Sequence, residues 1–240
     1  MQLAVIIPTL NEADTLARTI ELARRRARIV PDITVVDCGS RDATVSIATH
    51  AGCRVLVKND GATGKSGALN LGARDCRAEV ILFLDADSEP PPEYDRLVEV
   101  ALQDPRSVGG AFHFKLDRPA GPSAKLRLVE IINHIRYFIW PEYYGDQGIF
   151  VRRAAFQKVG GFPDRAILEA AHLCRRLRQL GRLTLVRACM ITSPRRFLDG
   201  GVLRVLLSDS WIWLRDRLGL STEHFAAGYW HYNASRGRKT

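Results

Sequence analysis

The sequence predicts an α/β fold: a mostly parallel central sheet with helices on both faces, followed by an amphipathic helical arm. Three observations predict it. Short apolar runs alternate with helical patterns over residues 1–115, and strand–helix alternation with short connections gives a parallel sheet covered on both faces. After Pro122 the alternation gives way to a long helix, and beyond Pro194 the chain becomes basic and amphipathic. Finally, the apolar run 80–84 ends in Asp85-Ala86-Asp87. That places two carboxylates at the carboxyl end of a central strand, where open α/β sheets bind ligands.

The elements follow in order. Residues 3–8 read as the first strand, and Asp14 caps a helix running to about residue 27. A second strand spans 33–37, a helix 42–51 and a third strand 54–58. The next helix covers 65–75, and residues 80–85, apolar up to Leu84, read as a buried fourth strand. Glu-Pro-Pro-Pro at 89–92 ends it, and a helix over 92–103 and a strand over 108–115 follow. Then come a helix over 123–138, a strand at 148–152 and a helix over 167–180. The final residues, 235–240, read as a frayed tail. The organisation expected is a domain over 1–194, with a nucleotide-binding half (1–115) and an acceptor half (116–194), and a basic arm over 195–240.

Composition narrows the class. At 240 residues with 46% hydrophobic and 25% charged residues, the chain is long enough for an ordinary globular core. Five scattered cysteines, none in C-x-x-C spacing, argue for a reducing compartment and against a disulfide framework or zinc site. No basic n-region precedes the first strand, so no signal peptide is read. No stretch reaches the roughly 18 uncharged apolar residues that span a bilayer. Together these predict a cytoplasmic protein, or one peripheral on the inner face of the plasma membrane. Residues 171–240 carry 13 Lys/Arg against 4 Asp/Glu, so the whole net charge of +9 lies there. This suggests a phosphate-rich partner, an anionic membrane surface or a phosphorylated substrate, or else a solvated basic helix face with no partner. Nucleic acid is not expected, since no binding motif accompanies the charge.

Two aspartates one residue apart repel unless a cation lies between them. A divalent ion carrying phosphate oxygens is the usual solution, because Mg²⁺ and Mn²⁺ prefer oxygen ligands and leave positions open for substrate. The neighbouring strand tips add Glu12 and Asp37. Three acidic tips along one edge suit a nucleotide: Asp37 for the base, Glu12 for base or ribose, Asp85 and Asp87 for a metal-bridged diphosphate. Ser40 and Asp42 fit helix capping. The segment from Gly61 to Gly67 is not a P-loop, because Asn59 stands where the first glycine belongs and the segment follows the third strand. Lys65 remains a candidate to neutralise the diphosphate or contact a base, with Gly64 and Gly67 allowing close backbone approach.

Taken together, VIIPTLNEADTL, VVDCGSRDAT, GKSGALNLG and ILFLDADSEP, in order and spacing, resemble a family 2 glycosyltransferase with the nucleotide-sugar-binding fold called GT-A. YGDQGIFVRRAAFQKVGGFP and SPRRFLDGGVLRVLL resemble a small bacterial branch of it. The resemblance implies that Pro8, Thr9 and Glu12 line base and ribose, with Ala86 also at the nucleotide. It implies that Asp37 reads the base edge and Lys65 lies near the nucleotide. Asp85 would contact ribose or metal-bound water, and Asp87 the metal directly. Gly145, Asp146 and Gln147 would lie near the sugar and acceptor. The expected activity is metal-dependent, inverting transfer from a nucleoside-diphosphate sugar to an unidentified acceptor.

One position departs from the pattern. Such enzymes carry Glu-Asp after G-G-F-P, the Asp often acting as base, whereas here the sequence is Glu169-Ala170. Three outcomes stay open: Glu169 (or Asp146) acts as catalytic group, the acceptor is already an anion such as a lipid phosphate, or the chain binds nucleotide sugar without transferring it. His172 reads as a surface or packing histidine. In the arm, Leu203, Leu206, Leu207, Trp213, Leu214 and Leu218 share a helical face. That face either packs on the domain or lies on an anionic bilayer with a lipid-linked or isoprenoid acceptor.

Overall fold

Alternating burial in the apolar runs sets the layers. In β1 (Leu3–Thr9), Val5 and Ile7 point to one face of the sheet and Ile6 to the other, and all three are buried. A computed structural model of the chain describes residues 1–58, 64–118, 121, 123–139 and 142–226. Asn59 and Gly61 of the glycine-rich segment and the tail 235–240 lie outside the described residues.

After β1 come α1 (Ala13–Arg25), β2 (Asp32–Asp37), α2 (Thr44–His50) and β3 (Arg54–Val57). They are followed by α3 (Gly64–Arg74), β4 (Val80–Phe83), the short β5 (Ser88–Glu89) and α4 (Tyr94–Ala101). The second half contains β6 (Ser107–Leu116), α5 (Ala124–Ile139), a 3-10 turn (Gly145–Gln147), β7 (Ile149–Arg152) and α6 (Arg153–Lys158). It ends with α7 (Glu169–Arg178), β8 (Arg182–Thr192), α8 (Arg195–Gly200) and α9 (Val202–Arg217).

The eight strands form one sheet in the order β3-β2-β1-β4-β7-β6-β8-β5. β1 pairs in parallel with both β2 and β4, and β2 with β3. β7 is antiparallel to β4 and β6, β8 runs parallel to β6, and β5 is antiparallel to β8. The sheet is therefore mixed, with β5 and β7 reversed and the rest sharing one direction, as a mostly parallel sheet requires. Helices α1, α2 and α4 cover one face through Leu16, Ile20, Ala48, Tyr94 and Val98. Helices α3, α6 and α7 cover the other through Leu69, Phe156, Leu173 and Leu177.

The expected boundary at residue 194 falls between β8 and α8. Beyond it, Phe197 and Val205 are buried with Phe114, Leu126, Val129 and Tyr137 in a third apolar cluster. Asp216 on α9 is buried and held by His172 (2.8 Å), Arg165 (3.2 Å) and Arg175 (2.9 Å). His172 is thus a packing histidine in an ion-pair cluster that ties α9 to α7. All five cysteines are free, and among the described residues no helix is long and apolar enough to cross a membrane.

Candidate active site

β2 and β4 leave β1 on opposite sides, so the loops following β1 and β4 diverge and leave a crevice at their carboxyl ends. There the structure has a cavity of about 940 Å³, closed on its far side by the turn before β7, the start of α7 and helices α5, α8 and α9. Pro8, Thr9, Glu12, Lys65, Asp85, Ala86, Asp87, Gly145, Asp146 and Glu169 all face it.

Two predicted residues are placed behind the wall. Asp37 is buried and accepts hydrogen bonds from the backbone of Gly39 (2.9 Å) and Ser40 (2.9 Å), from the Ser40 hydroxyl and from Thr9 Oγ1 (3.2 Å). It braces the loop that presents Cys38 to the cavity. Gln147 is also buried: its Nε2 donates to Phe112 O (3.0 Å) and its Oε1 accepts from Tyr144 N (3.0 Å). It closes the turn that carries Gly145 and Asp146 from behind.

At the tip of β4 each carboxylate meets a cation. Lys65 Nζ lies 2.5 Å from Asp85 Oδ1. A Cβ on Gly145 would stand 2.6 Å from that ammonium, so a side chain there would push the end of Lys65 aside. Asp87 lies 3.2 Å from Arg195, whose Nη1 also donates to Glu12 Oε2 at 2.7 Å. Burial pushes the Asp87 carboxyl up to about 6; Asp85 and Glu12 add to the rise, against Arg195 and Lys65. Burial works against the Arg195 charge, but its hydrogen bonds to Glu12 and the charge of Asp87 hold its pKa above the ordinary value.

Across the cavity, Asp146 is pushed up to about 6, chiefly by burial and against the pull of Arg136. The Arg136 guanidinium lies over the Tyr144 ring at 4.0 Å from its centroid, a cation–π contact. Glu169 is buried at the first turn of α7, and burial raises its pKa while Lys65 lowers it. Leu168 adopts a left-handed conformation (φ 61°) just before it, a strained geometry that turns Glu169 inward. Ala170 lines the wall beside it.

Sequence reasoning missed Arg195, Arg196 and Arg136 as cavity residues. The pair Arg195-Arg196 was visible as the start of the arm. Its role depends on β8, an unpredicted strand that delivers the pair to the cleft. Among the described residues no group of three His, Cys, Asp or Glu is arranged to hold a metal.

A sequence model described as glycosyl transferase family 2 matches residues 4–160. The chain belongs to that family. Among family 2 relatives, the dolichyl-phosphate beta-glucosyltransferase of Drosophila melanogaster is 35% identical over 121 residues, covering 43% of this chain and 36% of the relative. An undecaprenyl-phosphate 4-deoxy-4-formamido-L-arabinose transferase of Pseudomonas fluorescens (strain Pf0-1) is 34% identical over 108 residues, covering 41% of this chain and 32% of the relative. The chain thus spans about a third of the length of these relatives. In three dimensions it is similar to the glucosyl-3-phosphoglycerate synthase of Mycobacterium tuberculosis, solved with Mn²⁺, uridine-diphosphate-glucose and phosphoglyceric acid. The TM-score is 0.60 at 20% identity, covering 92% of this chain and 80% of that one. The GT-A fold is the shared scaffold.

Proposed function

We propose that the chain is a metal-dependent glycosyltransferase that moves a sugar from a nucleoside-diphosphate sugar, a uridine diphosphate sugar by default, to an acceptor across the cavity. The observation that carries this reading is the cluster at the tip of β4, where Asp85, Asp87, Glu12, Lys65 and Arg195 face one cavity. Its three carboxylates, Asp85, Asp87 and Glu12, supply the oxygen donors that a hard divalent cation, Mg²⁺ or Mn²⁺, prefers, and the Asp87 charge that burial disfavours would gain a counter-ion there. Asp87 would hold the ion, with Asp85 beside it or on its water. When bound, the ion supplies positive charge to the diphosphate of the leaving nucleotide.

The remaining roles belong to the chain itself. Pro8, Thr9, Glu12 and the backbone at Ala86 line base and ribose, while Asp37 shapes the base pocket through the loop it braces. Lys65, beside Gly145, neutralises diphosphate charge. Direct displacement from the face opposite the leaving group inverts the anomeric carbon. Glu169 or Asp146 receives the acceptor proton, each with a pKa raised towards the working range of a base. Ala170 cannot do so, and base assistance is worth roughly 10²–10⁴-fold. An acceptor that is already an anion needs no such help. The two relatives named above are transferases to dolichyl and undecaprenyl phosphate by name, which favours a lipid phosphate acceptor and a peripheral position at a membrane.

Calorimetric titration with uridine diphosphate tests the reading. Affinity should depend on Mn²⁺ and vanish in Asp87→Ala; metal-independent affinity equal in the two proteins would refute it. A second reading, nucleotide-sugar binding without transfer, is favoured by Ala170 alone. Steady release of nucleoside diphosphate from a panel of donors and acceptors supports the enzyme, and tight binding with no turnover supports the sensor.

A further inference from the structure

Helices α5 and α9 each carry two apolar stripes, and the protein interior uses only one of each. On α5, Leu126, Val129 and Tyr137 are buried, whereas Leu128, Ile131, Ile132, Ile135 and Ile139 are exposed on successive turns. On α9, Val205 and Ile212 are buried, whereas Leu203, Leu207, Trp211, Leu214 and, at its C-cap, Leu218 are exposed. Leu203 and Leu207 retain 70% and 64% of their surface in water. A helix that only packs against its domain keeps such positions polar. The two helices touch, and Ile132, Ile135, Trp213 and Leu214 line the same cavity as Asp85 and Asp87. The unpartnered apolar face is thus continuous with the candidate active site.

Charge indicates what covers it. The exposed charged side chains of the two helices, Lys125, Arg127, Arg204 and Arg217 (this last 2.9 Å from Glu142), are all basic. Their acids are turned inward and paired: Glu130 with Arg118, Asp209 with Arg196, and Asp216 with Arg165 and Arg175. Packing a second copy on this face would oppose like charges. An anionic lipid surface meets both demands, taking the apolar stripes at the headgroup–acyl boundary and the basic rim at its phosphates.

We propose that the α5–α9 face is a docking surface for an anionic bilayer, which holds the mouth of the cavity at the headgroup level. The inference rests on the transferase reading for its consequence, that a lipid-borne acceptor enters the cavity between these helices. Arg136 stands on that route, its buried Nε without a hydrogen-bond partner among the described residues.

The test is sedimentation of the full chain with phosphatidylglycerol–phosphatidylcholine vesicles and with pure phosphatidylcholine vesicles. The wild type should bind the mixed vesicles and not the neutral ones, with binding weakened by salt. The double substitution Ile131→Glu/Leu207→Glu, at exposed positions off the cavity wall, should weaken binding about tenfold or more while nucleotide affinity is unchanged. Arg127→Glu/Arg204→Glu should weaken it as well. Absence of wild-type binding, equal binding by the variants, or a wild-type dimer that the Ile131→Glu/Leu207→Glu variant makes monomeric would each overturn the proposal. The vesicles contain neither donor nor acceptor, so failure here leaves the transferase reading standing. Vesicle binding with no nucleoside diphosphate release from any donor would count against the transferase reading alone.

Discussion

Arg195 links two carboxylates, Glu12 and Asp87, that the chain places on different strand tips. Three charges so far from bulk water persist only because each partners another; losing one member of such a group costs on the order of 3 kcal/mol. Asp146 is in a different position, because the nearest cations do not fully offset its burial and its pKa rises to about 6. A carboxyl whose folded pKa exceeds its unfolded value carries no penalty below the unfolded value, near 4. The penalty grows as pH rises from there to about 6 and is complete above. Asp146→Asn, neutral at every pH, should therefore match the wild type in thermal stability near pH 4. Above pH 6, in the absence of metal, it should exceed it by roughly 2–3 kcal/mol. Melting curves across that range check the sign; a wild type that gains on the variant as pH rises would mean that Asp146 is stabilised as an anion.

At the level of elements, the site depends on turns more than on regular structure. The turn Gly145–Gln147 ends at Gly148, whose φ of 60° suits glycine. A Cβ there would lie 2.2 Å from Met190 Cε. Gly148→Ala should cost about 2–4 kcal/mol, from left-handed strain together with overpacking. Denaturant unfolding would show it as a lower midpoint at unchanged slope, and a neutral result would mean that Met190 yields without cost. The sequence could not reveal this turn, because Gln147 reads as a polar residue near substrate until its bonds to Phe112 and Tyr144 are seen. β8 was equally hidden: Arg182, Thr184 and Arg187 interrupt its apolar pattern, and most of the strand is only half-buried. β4 was legible for the opposite reason, since its four residues are all buried and apolar.

Over the whole molecule, the parallel half and its acidic tips were readable from local pattern, as the convergence of Glu12, Asp85 and Asp87 on one cavity shows. The relation of the C-terminal helices to that half was not, because it is made by long-range contacts that leave no periodic signal. α8 sends Phe197 into an apolar cluster with Phe114 on β6 and Leu126 on α5, and sends Arg195 to Glu12. α9 adds Val205 and the ion pairs of Asp216. A chain ending at Pro194 would therefore lose more than a lipid contact. Burial of Phe197, Val205 and Ile212 contributes roughly 1.5–3 kcal/mol each, and Glu12 and Asp87 would be left without their arginine. Such a truncation should unfold at markedly lower temperature and bind uridine diphosphate with Mn²⁺ poorly. If it instead melts like the full chain and keeps its nucleotide affinity while losing only vesicle binding, the helices after Pro194 are a detachable arm and their contacts with the cavity do not matter to it.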